Sequence, residues 1–241
     1  MDILSLILYW TFLPLGGKTL AILGGRATGK SSLKKFLETG KIPDSYKVTD
    51  IAEQYASFRS ADLRIRIQAS QDVGGGDDPK PIKAYYDAWE TVVKSSDYVF
   101  YLINLYLFLF NKDESNNGKY KERVKNDLLQ IIKWVQKDKP IIIVGTYADK
   151  DKRFSIDDTN KAKNQIKEIQ DQLMHDNIMN GFFHKNRFGE DYVIIIGSLV
   201  DNKFAKNLVC ELAGKLDLVR KISKRNQEAK KKENNKKDKR K

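Results

Sequence analysis

Eight consecutive residues near the amino terminus, Gly24-Gly25-Arg26-Ala27-Thr28-Gly29-Lys30-Ser31, restrict this chain more than any other stretch. They spell G-x-x-x-x-G-K-S. Ahead of them, Lys18-Thr19-Leu20-Ala21-Ile22-Leu23 reads as a short buried strand. Behind them, Ser32-Leu33-Lys34-Lys35-Phe36-Leu37 carries its apolar residues at helical spacing. A strand therefore turns through a glycine-rich loop into a helix N-terminus. Backbone N–H groups there have no partner in the helix ladder, and the helix dipole favours an anion. Gly24, Gly25 and Gly29 put no Cβ in the way of a backbone curling around phosphates. In such a loop Lys30 reaches the β- and γ-phosphates of a nucleotide and the Ser31 hydroxyl ligates Mg²⁺. Arg26, Ala27, Thr28 and Ser32 complete the set around the phosphates.

Further along, strand and helix patterns alternate. Leu63 to Ala69 alternates at period two and runs into Asp72-Val73-Gly74-Gly75. A helical stretch, Tyr85 to Lys94, precedes the continuous apolar run Tyr98 to Ile103, which suits a central parallel strand covered on both faces. Asn111 to Gly118 reads as a polar loop. Tyr120 to Gln136 then keeps Val124, Leu128, Ile131, Ile132 and Val135 on one helical face. Pro140 to Val144 is a second buried strand, ending in Gly145-Thr146-Tyr147-Ala148-Asp149. A charged helix over Thr159 to Met174, a strand over Tyr192 to Ile196 and a helix over Phe204 to Val219 close the pattern. The alternation predicts a three-layer α/β fold with a mainly parallel sheet of about six strands and helices on both faces.

Charge is concentrated at one end. Residues 220–241 hold twelve basic residues against three acidic ones, a balance of +9 out of the chain's +12. Only +3 remains for the rest, so the body of the protein is not a strongly basic nucleic-acid binder, and no specific nucleic acid is expected. The tail reads either as a solvated extension of the last helix or as a contact with an anionic surface. Residues 3–15 carry only Ser5 and Thr11 as polar residues. As a helix they would span about 20 Å, short of a hydrocarbon core of about 30 Å. They lack the basic start and small-residue cleavage site of a secretory signal. A short anchor, an interfacial helix and a segment packed on the body all remain open. One cysteine, Cys210, excludes an internal disulfide and reads as a small apolar residue of the last helix; with two histidines, the chain is poorly equipped for zinc.

In order and spacing, these motifs resemble the Ras-like small GTPases, over about Lys18 to Val219. The resemblance implies a P-loop nucleoside-triphosphatase fold that binds GTP and GDP with Mg²⁺. Its stations fall at the carboxyl ends of the expected strands. After the phosphate loop comes Thr49, nineteen residues past Lys30, where the family keeps the threonine that ligates Mg²⁺ and senses the γ-phosphate. Asp72 would hold Mg²⁺ through water, and the Gly75 amide would meet the γ-phosphate. The wording Asp72-Val73-Gly74-Gly75 is similar to the Arf-like and heterotrimeric α-subunit branch. Thr146-Tyr147-Ala148-Asp149 matches Asn/Thr-Lys-x-Asp, with Tyr147 in place of the lysine. The aspartate carboxylate would accept from guanine N1–H and the 2-amino group, a pairing adenine cannot make. Ser198 and Leu199, in Gly197-Ser198-Leu199, resemble the loop that touches guanine O6.

One departure bears on chemistry. The family's water-positioning glutamine follows the second glycine of Asp-x-x-Gly, and here that position is Gly76. Arg26 lies inside the phosphate loop, where it either obstructs hydrolysis or stabilises charge. The expectation is a guanine-nucleotide switch, residues 18–219, with slow hydrolysis depending on Lys30, Thr49 and Gly75, or with dependence on an activating protein. Residues 1–17 and 220–241 would flank it as a hydrophobic segment and a basic tail, offering contact with an anionic membrane surface at the cytoplasmic side. An unnamed effector would read the switch. Two other readings remain: a nucleotide-sensing module without turnover, and an ATP-using P-loop protein.

Overall fold

In the computed structural model, the described residues are 19–44, 53–54, 58–60, 65–67, 71–72, 82–110, 114–135, 139–151, 159–185 and 193–216. Strand β1 (Thr19–Gly24) leads through the glycine-rich loop into helix α1 (Lys30–Thr39). Short strands β2 (Glu53–Gln54), β3 (Phe58–Ser60), β4 (Ile65–Ile67) and β5 (Gln71–Asp72) follow. Then come α2 (Ile82–Ser95), β6 (Tyr98–Asn104), a π-helical turn (Tyr106–Phe110), α3 (Glu114–Trp134), β7 (Ile141–Thr146) and a 3-10 turn (Ala148–Lys150). The chain continues through α4 (Thr159–His175), α5 (Asn177–Lys185), β8 (Val193–Ile196) and a helix α6 over 202–216.

The main sheet runs in the order β3-β4-β1-β6-β7-β8. Every neighbouring pair is parallel except β3 with β4, which is antiparallel. In register, Leu20 pairs with Tyr98 and Val99 with Ile141, so β1 and β6 lie inside the sheet with a partner on each side. That position explains the unbroken apolar runs: all seven residues of β6 and all six of β7 are buried.

Because side chains alternate across a strand, these runs serve two cores at once. Leu23, Val99, Tyr101, Ile103, Ile143 and Ile196 face one side, with Trp89 of α2, Leu128 of α3, Ile169 of α4 and Met179 of α5. Leu20, Ile22, Phe100, Leu102, Val144 and Ile195 face the other, with Leu33 and Phe36 of α1 and Leu208 and Leu212 of α6. The molecule is thus an α/β fold with a largely parallel sheet between two helical layers. Helix α1 stops at Gly40, whose left-handed backbone (φ 71°) lets its N–H donate to Phe36 O.

Several expectations need correction. The polar stretch before Tyr120 is helical from Glu114 onward, because the apolar stripe beyond it carries the helix N-terminus along. Strand β3 and helix α5 were not expected; both are short, and α5 has Gly181 in its interior. Cys210 lies in α6 as expected but is exposed, since α6 buries Leu208, Val209 and Leu212 instead. Apart from these corrections, the apolar run after Asn104 is largely internal: Leu105 and Phe108 are fully buried and join the core of α2 and α3, while Tyr106 is exposed. Residues 3–15, Thr49, Gly75, Gly76 and the tail 220–241 lie outside the described residues. Among the described residues, no helix is long and apolar enough to cross a membrane.

Candidate nucleotide-binding site

The carboxyl ends of β1, β6, β7 and β8 meet at one edge of the sheet, and the loops leaving them are wired together. Thr146 at the end of β7 donates its hydroxyl to Thr28 O at 2.9 Å and to Ile103 O at 3.1 Å. Asn104 at the end of β6 donates its side-chain amide to Ala27 O at 2.8 Å. Past β8, the Ala148 N–H donates to Gly197 O at 3.1 Å. The bonds to Thr28 O, Ala27 O and Gly197 O join one loop to the next strand end, and the bond to Ile103 O ties Thr146 to the neighbouring strand β6.

The loop from Gly24 to Lys30 is wound tightly. Gly24 has φ +147°, and a Cβ on it would lie 2.6 Å from Leu102 O, so a side chain is excluded by backbone. Gly29 has φ +83°, and a Cβ there would stand 2.8 Å from Leu199 Cδ1. Ala27 also lies in the left-handed region, at φ 54°. The Thr28 hydroxyl donates to Gly25 O at 2.9 Å, and Lys30 Nζ donates to the same carbonyl at 2.6 Å. The buried ammonium thus caps the loop from inside. Helix α1 begins with the Leu33 N–H donating to Gly29 O, which leaves its first-turn amides outside the helix's own ladder. A cradle of this shape, ending in a helix N-terminus with a lysine inside, fits a phosphate chain. Ser31 sits half-buried in the first turn, where a hydroxyl fits Mg²⁺ beside those phosphates.

Beside the loop opens a cavity of about 340 Å³ whose lining includes Gly29, Ser32, Thr146, Tyr147, Asp149 and Leu199. The Asp149 carboxylate is 13% exposed. The Ser198 hydroxyl donates to its Oδ1 at 2.5 Å, and the Val200 N–H donates to the Ser198 hydroxyl at 3.1 Å. Lys150 Nζ stands 3.8 Å from Oδ2. Tyr147 has left-handed backbone (φ 62°), a conformation that costs a non-glycine residue about 1 kcal/mol or more. It lets the turn at Ala148–Lys150 bring Asp149 under Ser198. Gly24 to Ser32, Thr146, Tyr147, Asp149, Ser198 and Leu199 are therefore gathered at one edge. Asp72 is placed by its backbone alone, in β5, antiparallel to Glu53 in a separate two-stranded sheet.

The sequence reading passed over a polar cluster beneath the loop. Asp127 of α3 is 1% exposed and accepts hydrogen bonds from Tyr86 OH at 3.0 Å and Tyr101 OH at 2.9 Å. Arg123 Nε lies 4.0 Å from its Oδ2. Burial holds this carboxyl above the usual carboxylate range, against the opposing pull of Tyr101, Arg123, Tyr86 and Lys30. Tyr120 accepts from the Asn104 N–H at 2.8 Å, and burial pushes its own hydroxyl upward. The available signal was spacing: Val124, Asp127, Leu128 and Ile131 share one helical stripe, which places the aspartate on the covered face.

No family model matches the chain, and no curated protein matches it. Among solved structures, the crystal structure of a GTP-binding protein from the hyperthermophilic archaeon Sulfolobus solfataricus in complex with GDP is similar to it, with a TM-score of 0.49 and 15% sequence identity. The match covers 90% of this chain and 56% of that chain, so this chain spans little more than half of the other protein's length.

Proposed function

We propose that this chain binds GTP and GDP with Mg²⁺ at the edge described above and works as a guanine-nucleotide switch that hydrolyses GTP slowly. One observation carries the reading: a carboxylate, Asp149, is held by Ser198 beside a phosphate cradle on the same sheet edge. Guanine offers N1–H and a 2-amino group side by side, and a carboxylate accepts both. Adenine presents an acceptor at N1, which the same carboxylate repels.

Within this proposal Lys30 reaches the outer phosphates, and Ser31, Thr49 and Asp72 hold the metal. When bound, Mg²⁺ spreads the charge of the β- and γ-phosphates. Thr49 and the Gly75 amide sense the γ-phosphate, and an effector or activating protein reads their arrangement. Hydrolysis is slow because Gly76 offers no side chain to orient water. The wording of Asp72-Val73-Gly74-Gly75 supports a place near the Arf-like branch. The functional unit is residues 18–219. Residues 3–15 and the tail would add contact with an anionic membrane, about 1 kcal/mol for each basic residue near its surface.

Titration with fluorescent GTP and ATP analogues, with and without Mg²⁺, tests the reading. GTP should bind at least tenfold tighter, about 1.4 kcal/mol, and Lys30→Ala should lose most binding of either. Equal affinity for the two nucleotides would overturn it in favour of an ATP-using protein. Single-turnover hydrolysis near one per second would contradict the argument from Gly76, and none at all would leave a nucleotide-sensing module.

A further inference from the structure

Two consecutive carbonyls of the phosphate loop are taken by side chains at the ends of neighbouring strands. Asn104, closing β6, donates its side-chain N–H to Ala27 O at 2.8 Å. Thr146, closing β7, donates its hydroxyl to Thr28 O at 2.9 Å. Asn104 is 5% exposed, and its Oδ1 accepts the Leu107 N–H of the π-helical turn at 3.3 Å. That second bond fixes which end of the amide faces the loop, since only the nitrogen can donate to Ala27 O. The Asn104 main chain is held as well, its N–H donating to Tyr120 OH at 2.8 Å. Ala27 stands in the left-handed region at φ 54°, a backbone that strains any residue with a Cβ. A trans peptide points its C=O and N–H in opposite directions. With Ala27 O drawn to β6, the Thr28 N–H of the same peptide is turned away from that strand end. With Thr28 O drawn to β7, the Gly29 N–H is turned away in the same manner.

We propose that Asn104 is a positioning residue of the phosphate site: its amide holds the Ala27–Thr28 peptide in the left-handed turn, so that the Thr28 N–H is set for a phosphate oxygen before a nucleotide arrives. This rests on the phosphate half of the proposed function and is independent of the base. Amides aimed in advance raise affinity because binding need not order them. Ala27 is exposed, so water can reach its carbonyl when the amide is removed. Losing Asn104 therefore acts on the conformation of the loop more than through a stranded acceptor. A glycine at position 27 adopts the left-handed turn without strain and needs no such support.

The test measures GDP and ADP affinity and melting temperature on full-length protein, for the parent, Asn104→Ala, Ala27→Gly, the double variant and Tyr120→Phe. Asn104→Asp serves as a second variant of the amide: it keeps the side-chain size and the bond from Leu107, and sets an oxygen against Ala27 O. Each Asn104 variant should weaken GDP and ADP alike, by about tenfold, leaving their ratio unchanged. Ala27→Gly alone should stay within about threefold of the parent, and on that background Asn104→Ala should cost about threefold or less. Tyr120→Phe removes the bond to the Asn104 main chain and leaves the amide in place, so it should lower the melting temperature while affinity stays within about twofold. Unchanged affinity in both Asn104 variants overturns the proposal. So does a tenfold loss that persists with glycine at position 27, or an equal loss in Tyr120→Phe, either of which makes Asn104 a part of the fold alone. A parent that binds ADP as well as GDP, with the Asn104 effect intact, overturns the guanine reading and supports this one. No binding of either nucleotide overturns both.

Discussion

Ser198 and Asp149 lie 49 residues apart in sequence and are joined by a hydrogen bond of 2.5 Å from hydroxyl to carboxylate. The bond turns one Asp149 oxygen toward the loop after β8 and fixes the plane of the carboxylate beside the cavity. Without it, the side chain would pair more freely with Lys150, which stands 3.8 Å away on the solvent side. Under the proposed guanine reading, base selectivity would rest on a two-residue unit rather than on the aspartate alone.

Ser198→Ala should therefore loosen selection without touching the phosphate cradle. The expected result is a guanine-over-adenine preference reduced about fivefold, with loss of about 1 kcal/mol of stability or less. Competition binding with GDP and ADP checks it. Equal losses of both would place Ser198 in the fold rather than in base recognition.

Lys139 caps a helix from outside it. Its Nζ is buried and donates to Val93 O at 2.5 Å and to Lys94 O at 3.1 Å, in the last turn of α2. Val93 O also accepts from the Ser96 N–H at 3.3 Å, so the lysine supplements that weak bond and reaches the next carbonyl as well. Lys139→Met should remove both lysine bonds and cost about 1–2 kcal/mol, read as a lowered denaturation midpoint with unchanged slope. Nucleotide affinity of the folded fraction should stay the same.

Asp127 gives the stability a defined pH dependence. Burial holds its carboxyl above the ordinary value of 3.8. In that range the folded chain keeps a proton that the unfolded chain has released. Its contribution is thus present in full below the ordinary value and is lost as pH rises through the raised one. Asp127→Asn keeps an oxygen acceptor for the tyrosine hydroxyls and removes the titration. The stability of the variant minus that of the parent should grow as pH rises through this window; a difference constant from about pH 3 to pH 8 contradicts the assignment.

The sheet's central strands were legible because a strand buried on both faces must be apolar along its length, as Tyr98 to Ile103 and Ile141 to Val144 are, with Asn104 and Thr146 polar only at the ends that meet the site. The phosphate loop was legible because its backbone demands glycine, at Gly24 and Gly29, wherever a Cβ would strike Leu102 or Leu199. What escaped was set by tertiary contact. Helix α5 is short, capped by the Asp176 carboxylate that accepts the Ile178 N–H at 3.0 Å, and lacks a long stripe of its own, so it is held by contacts such as Met179 in the core. Glu114 to Gly118 looks like a loop in isolation, yet it extends a helix anchored further on by Val124 and Leu128. Within the site, Asp149, Ser198 and Thr146 could be named from motif order. The covered position of Asp127 was readable from the stripe it shares with Val124, Leu128 and Ile131, but its tyrosine partners and the approach of Arg123 to Gly25 were not, because they exist only once α3 is laid against β6 and the loop.

The central claim, that Asp149 selects guanine, is tested most directly by binding GDP, inosine diphosphate and ADP to the parent and to Asp149→Ala. Inosine keeps N1–H and lacks the 2-amino group, so it offers the carboxylate one donor instead of two. For the parent, affinity should fall in the order GDP, inosine diphosphate, ADP, with about tenfold or more between the ends; for Asp149→Ala the three should bind within about threefold of one another, at the strength the phosphate cradle alone provides. A parent that binds all three equally, or a variant that keeps the full order, would contradict the account.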